Sequence, residues 1–276
     1  MKNIHNKTVS SFGDEWSRFN QEELKGEEHK YLFDAYFNIF PWNSLPKDAK
    51  GFDMGCGSGR WAALVAPKIK HLTCIDPSSK AIDVAKIRLT NLSNIEFLNA
   101  GASDKPLPLN SQDFGYSLGV LHHVPDTTSA LRGCVDMLKP GAPFLVYLYY
   151  NFDNRPLWYS LLWRASNIMR KAISQTPSWM KSILTNFLAA VLYFPLARIA
   201  LLGEKLRLKV NNWPLSSYRR TSFYTMKTDS RDRFGTPLEQ RFSQLEIKKM
   251  MQVAGLEGIK FSDHFPFWCA VGKKKF

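Results

Sequence analysis

Residues 52–61 read FDMGCGSGRW, with Gly55, Gly57 and Gly59 at every second position and the apolar run AALVA directly after. Glycines spaced this way mark a turn whose backbone adopts conformations that side chains resist and comes close to something. A strand, a glycine-rich turn and a helix aim several N–H groups at one spot, which suits an anionic group such as phosphate or carboxylate. The spacing separates the two. A dinucleotide fingerprint would need its third glycine at position 60, where Arg60 stands, and a Walker loop would need a G-K-S/T that is absent. Neither phosphate motif fits. Further on, the run HLTCID ends in Asp76, an acid at the tip of a second strand that can accept from both hydroxyls of a ribose. The ligand therefore contains a nucleoside.

The surroundings of the loop set the fold. Between residues 51 and 150 short apolar runs (GFDMGC, HLTCID, NIEFLN, FGYSLGV, PFLVYLYY) alternate with helical patterns from about Trp61, at SSKAIDVAKIRLTNL and at TTSALRGCVDML. Strands alternating with helices of this length predict right-handed crossovers and a parallel sheet covered on both faces, a doubly wound, Rossmann-like α/β architecture. The same rhythm returns near the C-terminus. SQLEIKKMMQVAGL opens on a capping-box pattern, Ser243 to Glu246, and EGIKFSDHF and FWCAVGKK supply two final strands.

With the motifs D-M-G-C-G-S-G, ID, DFGYSLGVLHHVPD and MLKPGAPFLVY in this order, the chain resembles the class I S-adenosylmethionine-dependent methyltransferases, in particular the small-molecule, ubiquinone-type (type 11) branch. The resemblance covers residues 50–150 and the C-terminal helix and strands. It implies a seven-stranded sheet with an antiparallel last strand, S-adenosylmethionine as cofactor and S-adenosylhomocysteine as product. It also implies that Gly55, Gly57 and Gly59 admit the methionine moiety, that Asp53 orders the loop, that Asp76 holds the ribose, and that Leu118 and Gly119 line the methionine side. Cys56 is read as a small filler within the loop. Where the family often carries an acid near the adenine, this chain reads AGASDKPLP, so Gly101, Ala102 and Ser103 stand at the adenine edge and Asp104 is displaced.

Methyl transfer from a sulfonium needs alignment more than activation, and a general base only when the acceptor still holds its proton. The adjacent His122 and His123, after the fourth predicted strand, are the candidates for that base. Asp126, before TTSAL, is read as a helix N-cap. Acceptor selection is expected from parts outside the common fold: FGDEWSRFN near the N-terminus, YLYYNFDNR, and the polar, arginine-rich stretch 214–242, read as loop. Tyr147, Tyr149, Tyr150, Arg155, Tyr218, Arg219, Tyr224, Arg233 and Arg241 combine aromatic faces with guanidinium forks, a set suited to an acceptor with an anionic group beside an apolar or ring portion. The alternative is a surface loop tied down by its own pairs to Asp229, Asp232 and Glu239.

Four segments are predicted: an N-terminal helical lid (1–50), the cofactor-binding core (51–150), a helix-rich insertion with substrate loop (151–242), and a C-terminal helix and strands (243–276) that complete the core. The formal charge of +13 is uneven, since residues 151–210 hold nine Lys and Arg against two Asp and Glu. Residues 183–202 are apolar over nearly a bilayer's width but are interrupted by Asn186, Pro195 and Arg198, which argues against a spanning helix. A helical cap, acting as lid or homodimer interface, and an interfacial helix touching an anionic membrane both account for this pattern. The four cysteines lie far apart without metal-ligand spacing, and the N-terminus lacks the apolar core of a signal peptide; a reducing, cytoplasmic setting, peripheral to a membrane if the insertion touches one, and no metal are expected. The sequence thus predicts methyl transfer to a small-molecule or lipid-linked acceptor. Its rivals are a tRNA or rRNA methyltransferase, against which stands the absence of an N-P-P-Y signature, and a non-catalytic cofactor-binding domain.

Overall fold

A computed structural model describes residues 3–276, so the first two residues of the 1–50 segment lie outside it. The chain divides into two compact units: one comprises the residues up to Asn20, Lys30–Asp153 and Leu238–Phe276, the other Gln21–His29 and Asn154–Pro237.

The first unit is built on a seven-stranded sheet of order β3-β2-β1-β4-β5-β7-β6. Strands β1 (Lys50–Met54), β2 (His71–Asp76), β3 (Ile95–Asn99), β4 (Phe114–Leu118) and β5 (Pro143–Tyr147) run parallel, while β7 (Cys269–Lys274) lies antiparallel between β5 and β6 (Leu256–Phe261). The central strands are buried on both faces, which is why they read as unbroken apolar runs. Across β1 and β4, Gly51 pairs with Phe114 and Phe52 with Gly115. Each phenyl ring fills the space that a Cβ on the facing glycine would need, so two aromatic rings fit between neighbouring strands.

Helices α1 (Asn6–Arg18), α3 (Ala62–Val65), α4 (Ser79–Arg88), α5 (Thr127–Met137) and α10 (Gln244–Val253) belong to this unit, and α2 (Gly26–Phe37) begins in the second unit and ends in the first. Their ends follow local chemistry. Ser78 Oγ accepts from Ala81 N at the start of α4, and Asp126 accepts from Ser129 N (2.9 Å), the N-cap expected of it. Ser243 and Glu246 close the expected capping box at α10. The helix expected from Trp61 is only four residues long; Pro67 follows within a 3₁₀ turn, Ala66–Lys68, and returns the chain to β2.

The second unit is helical: α6 (Leu157–Ser174), then α7 (Ser178–Leu188), a π-turn (Ala189–Tyr193) and α8 (Phe194–Lys205) in continuous succession, and finally α9 (Phe223–Gly235). Helix α9 corrects the reading of 214–242 as loop. Its sequence, FYTMKTDSRDRFG, shows no apolar stripe because the residues it buries are themselves largely polar, Thr225, Thr228, Ser230 and Arg231 among them. Its N-cap, Ser222, receives Thr225 N and was the available signal.

Candidate functional site

The turn after β1 follows from three left-handed glycines, Gly55 (φ +80°), Gly57 (φ +54°) and Gly59 (φ +74°). Gly55 N and Cys56 N both donate to Ile75 O (2.7 and 3.1 Å), which ties the turn to the end of β2. Asp76 completes the tie: Oδ2 accepts from Gly57 N (3.0 Å) and Oδ1 from Ser78 N (2.8 Å), so one carboxylate spans the glycine turn and the start of α4. Burial pushes Asp76 up to about 6, against the pull of the Ser78 and Gly57 amides. Behind it, burial pushes Asp53 up to about 8, opposed by the facing Tyr116 phenol and reinforced by the charge of Asp76. Cys56 is buried, and contact with Cys74 followed by desolvation holds its thiol neutral, as befits a filler.

Asp53 makes stability fall as pH rises. Its folded-state value lies above the ordinary 3.8, so between about 4 and about 8 the unfolded chain has released a proton that the folded chain keeps. Each such proton costs about 1.4 kcal/mol per pH unit. Asp76 adds a parallel loss between 3.8 and about 6. Urea denaturation of Asp53→Asn from pH 6 to 8 should therefore show a flatter stability profile than wild type; an unchanged slope would mean that Asp53 is ionised in the folded chain.

The N-terminal segment covers this turn. A Cβ on Gly57 would stand 2.8 Å from Trp16 Nε1, and one on Gly101 2.9 Å from Ile4 Cδ1. Asn3 Nδ2 donates to Ser103 Oγ (2.9 Å) and to Asp126 O (2.7 Å). FGDEW, expected on the acceptor side, thus places its Trp16 against the glycine turn. Gly101, Ala102 and Ser103 open a 3₁₀ turn in which displaced Asp104 accepts from Gly101 N (2.8 Å). At the end of β4, beyond Leu118, Gly119 (φ +79°) donates to Tyr147 O (3.1 Å), and a Cβ there would meet nothing nearer than Tyr147 Cδ1 at 3.9 Å.

The structure places both candidate histidines in a buried aromatic cluster just past Gly119. His122 stacks on Tyr149 (3.8 Å between centroids) and lies 4.0 Å from His123, with no hydrogen-bond partner on either ring nitrogen. Burial, then the nearby His123 and Arg241, pushes His122 well below 6.5, so it is neutral. His123 Nδ1 lies 2.6 Å from Leu238 O; a carbonyl only accepts, so Nδ1 carries a proton and the ring is held with Nε2 as its other nitrogen. Gln240 N donates to His122 O (3.0 Å) and Gln240 Nε2 to Val124 O (2.6 Å), so the segment that returns from the insertion holds the histidine turn. This segment was missed in the sequence, where LEQRF carries no motif.

The aromatic and basic candidates separate. Tyr149 stands beside both histidines, Tyr147 meets Tyr149 edge-on (5.8 Å), and Tyr36 of α2 meets Tyr147 edge-on (5.1 Å). Arg241 lies over Tyr149 (5.1 Å) and pairs with Glu239 (2.8 Å). Tyr150 packs on Phe152 and Phe267. Arg155, Tyr218, Arg219, Tyr224 and Arg233 belong to the helical unit. There Arg155 donates to Asn211 O (2.7 Å), Arg219 grips Glu204 through two nitrogens (3.0 and 2.9 Å), the Tyr224 hydroxyl receives Gln21 N (2.9 Å), Arg233 reaches Ser166 Oγ (3.2 Å) and Tyr218 packs on Tyr193. Among the described residues no cluster of His, Cys, Asp and Glu could hold a metal ion.

Residues 52–146 match the family model described as a methyltransferase domain. The matched residues run from within β1 to within β5 and so cover the parallel part of the sheet. The chain is similar to an uncharacterised methyltransferase of Mycobacterium bovis, 30% identical over 120 residues that cover 43% of this chain and 60% of the relative. It is also similar to the demethylmenaquinone methyltransferase of Listeria welshimeri, 33% identical over 41% of this chain and 50% of the relative. The matched part thus spans only half to three-fifths of these relatives' lengths. A SAM-dependent methyltransferase of Thermotoga maritima, described as a possible histamine N-methyltransferase, shares the fold over 96% of this chain and 100% of its own, at 18% identity and a TM-score of 0.50.

Proposed function

We propose that the chain transfers a methyl group from S-adenosylmethionine to a small-molecule or lipid-linked acceptor, leaving S-adenosylhomocysteine. The glycine turn carries this reading: three left-handed glycines bare the backbone beside a carboxylate at the tip of β2. The residues present fit the cofactor. Ser58 Oγ, within the turn, is buried without a partner, and at the end of β4 a Cβ on Gly119 would touch only Tyr147 Cδ1, at 3.9 Å. Gly55, Gly57 and Gly59 would accommodate the methionine end, Asp76 the ribose, and Gly101, Ala102 and Ser103 the adenine edge. When bound, the cofactor supplies an electrophilic methyl. The protein's own part is to align the acceptor and, for a protic acceptor, to take its proton at His123 Nε2, with the imidazole fixed by Leu238 O. His122, neutral and stacked on Tyr149, shapes the cluster in which Tyr147, Tyr149 and Arg241 would face the acceptor.

The Listeria relative's name and the apolar surface of the helical unit support a lipid-linked acceptor over nucleic acid, and with it a cytoplasmic enzyme that works at a membrane. The test incubates the full chain with methyl-labelled S-adenosylmethionine and three acceptor pools: a demethylated isoprenoid quinone, small amines, and tRNA with rRNA. Label in the quinone or the amines supports the proposal. Label in RNA would replace it with the nucleic-acid reading, and cofactor binding with no labelled product would leave a non-catalytic binding domain.

A further inference from the structure

The helical unit has the polarity of an ordinary globular unit turned outward. Its buried positions include Arg170, Lys181, Thr185, Ser230 and Arg231, while its own apolar core is a small cluster around Ile173, Tyr193 and Phe234. These interior polar groups are engaged: Arg170 donates to Thr236 O (2.8 Å), Ser230 to Thr185 O (2.9 Å), and Arg231 to Ser178 Oγ (3.2 Å). Large apolar side chains stand outside instead. Ser178–Lys205 forms one run of 28 residues, long and apolar enough by length and composition to cross a membrane, and about 42 Å long. Along it Trp179, Ile183, Phe187, Val191, Phe194 and Leu202 are all exposed, Phe187 by 62%. They recur every three or four residues apart from one longer step, and the π-turn at Ala189–Tyr193 takes up extra residue length, keeping the stripe on one side.

Charge selects the occupant of this face. Arg164, Lys171, Lys205, Arg207 and Lys209 are exposed, and none is ion-paired among the described residues. Arg164 and Lys171 follow exposed Leu161 and Ile168 on α6 by three residues, beside a second apolar stripe, and the other three close the end of α8. The opposite side of the run turns Lys181 and Thr185 inward toward α9, which a spanning helix would expose to lipid. Arg198 lies over the ring of Phe194 (4.9 Å) and is held there by donating to Arg219 O (2.9 Å) and Thr221 O (3.1 Å). We infer that α6–α8 form a lipid-docking surface that lies in the plane of an anionic bilayer, with the stripe in the acyl boundary and the basic residues at the headgroups. The inference does not depend on methyl transfer.

The test is flotation of the purified full chain with phosphatidylcholine vesicles, with and without phosphatidylglycerol, at low and high salt. Wild type should float with phosphatidylglycerol vesicles at low salt and less so at high salt. Ile183→Gln/Phe187→Gln/Leu202→Gln, all at exposed positions, should lower partitioning by about tenfold or more, with helix content and cofactor affinity unchanged. Arg207→Glu/Lys209→Glu should lose only the preference for phosphatidylglycerol. Wild type that stays unfloated under every condition would overturn the inference. So would a dimer, seen by light scattering, that the triple variant converts to monomer without any vesicle binding, since a second copy would then own the face.

Discussion

Asp76→Ala should weaken S-adenosylmethionine binding by about 100-fold or more and lower stability by about 2–3 kcal/mol. Two effects combine. The substitution leaves Gly57 N and Ser78 N without their acceptor, so the turn loses the tie that sets its shape and α4 loses a partner at its first turn. It also removes the acid proposed to hold the ribose hydroxyls. Asp76→Asn separates the two, because an amide keeps one acceptor oxygen but presents an NH₂ to the other backbone donor; it should fall between wild type and alanine. Calorimetry with S-adenosylhomocysteine reads the affinity and urea denaturation the stability. An affinity unchanged in the alanine variant would remove Asp76 from the cofactor site.

His123→Asn should cost about 10²- to 10⁴-fold in turnover on a protic acceptor while cofactor affinity and stability stay close to wild type. Asparagine can still donate to Leu238 O from its amide, so the contact that orients residue 123 survives, whereas the proton-accepting Nε2 is gone. Turnover within a factor of a few of wild type would exclude His123 as the base, and a loss that appears equally in cofactor binding would mean that it only packs, against Phe12 and Tyr149.

The sheet was legible because its central strands are buried on both faces and its caps are local: Asp126 and Ser243 lie within three residues of the groups they bind. The glycine turn was legible for the same reason, since a left-handed backbone needs glycine wherever it occurs. Two parts of the site were not. Leu238 and Gln240 reach the histidine turn across more than a hundred residues, and neither carries a side chain that advertises such a role. Helix α9 escaped because apolar periodicity signals a helix only when its buried side is apolar, and here Thr225, Thr228 and Arg231 are turned inward. The arginines read as candidate acceptor forks meet the same difficulty: a guanidinium in sequence looks alike whether it awaits an anion or, like Arg219, already holds Glu204.

Both ends of the inserted segment are fastened within the sheet unit. Where the chain departs, Asp153 accepts from Trp268 Nε1 (2.9 Å) and Gln244 N (2.7 Å); where it returns, Leu238 and Gln240 bond to the histidine turn. Residues 154–237 therefore leave and rejoin the sheet unit at two points, each bonded by that unit's own residues. A lineage could exchange that whole stretch for another, and so acquire a new acceptor or a new cellular surface, while the machinery inherited beside β1, β2 and β4 remained untouched.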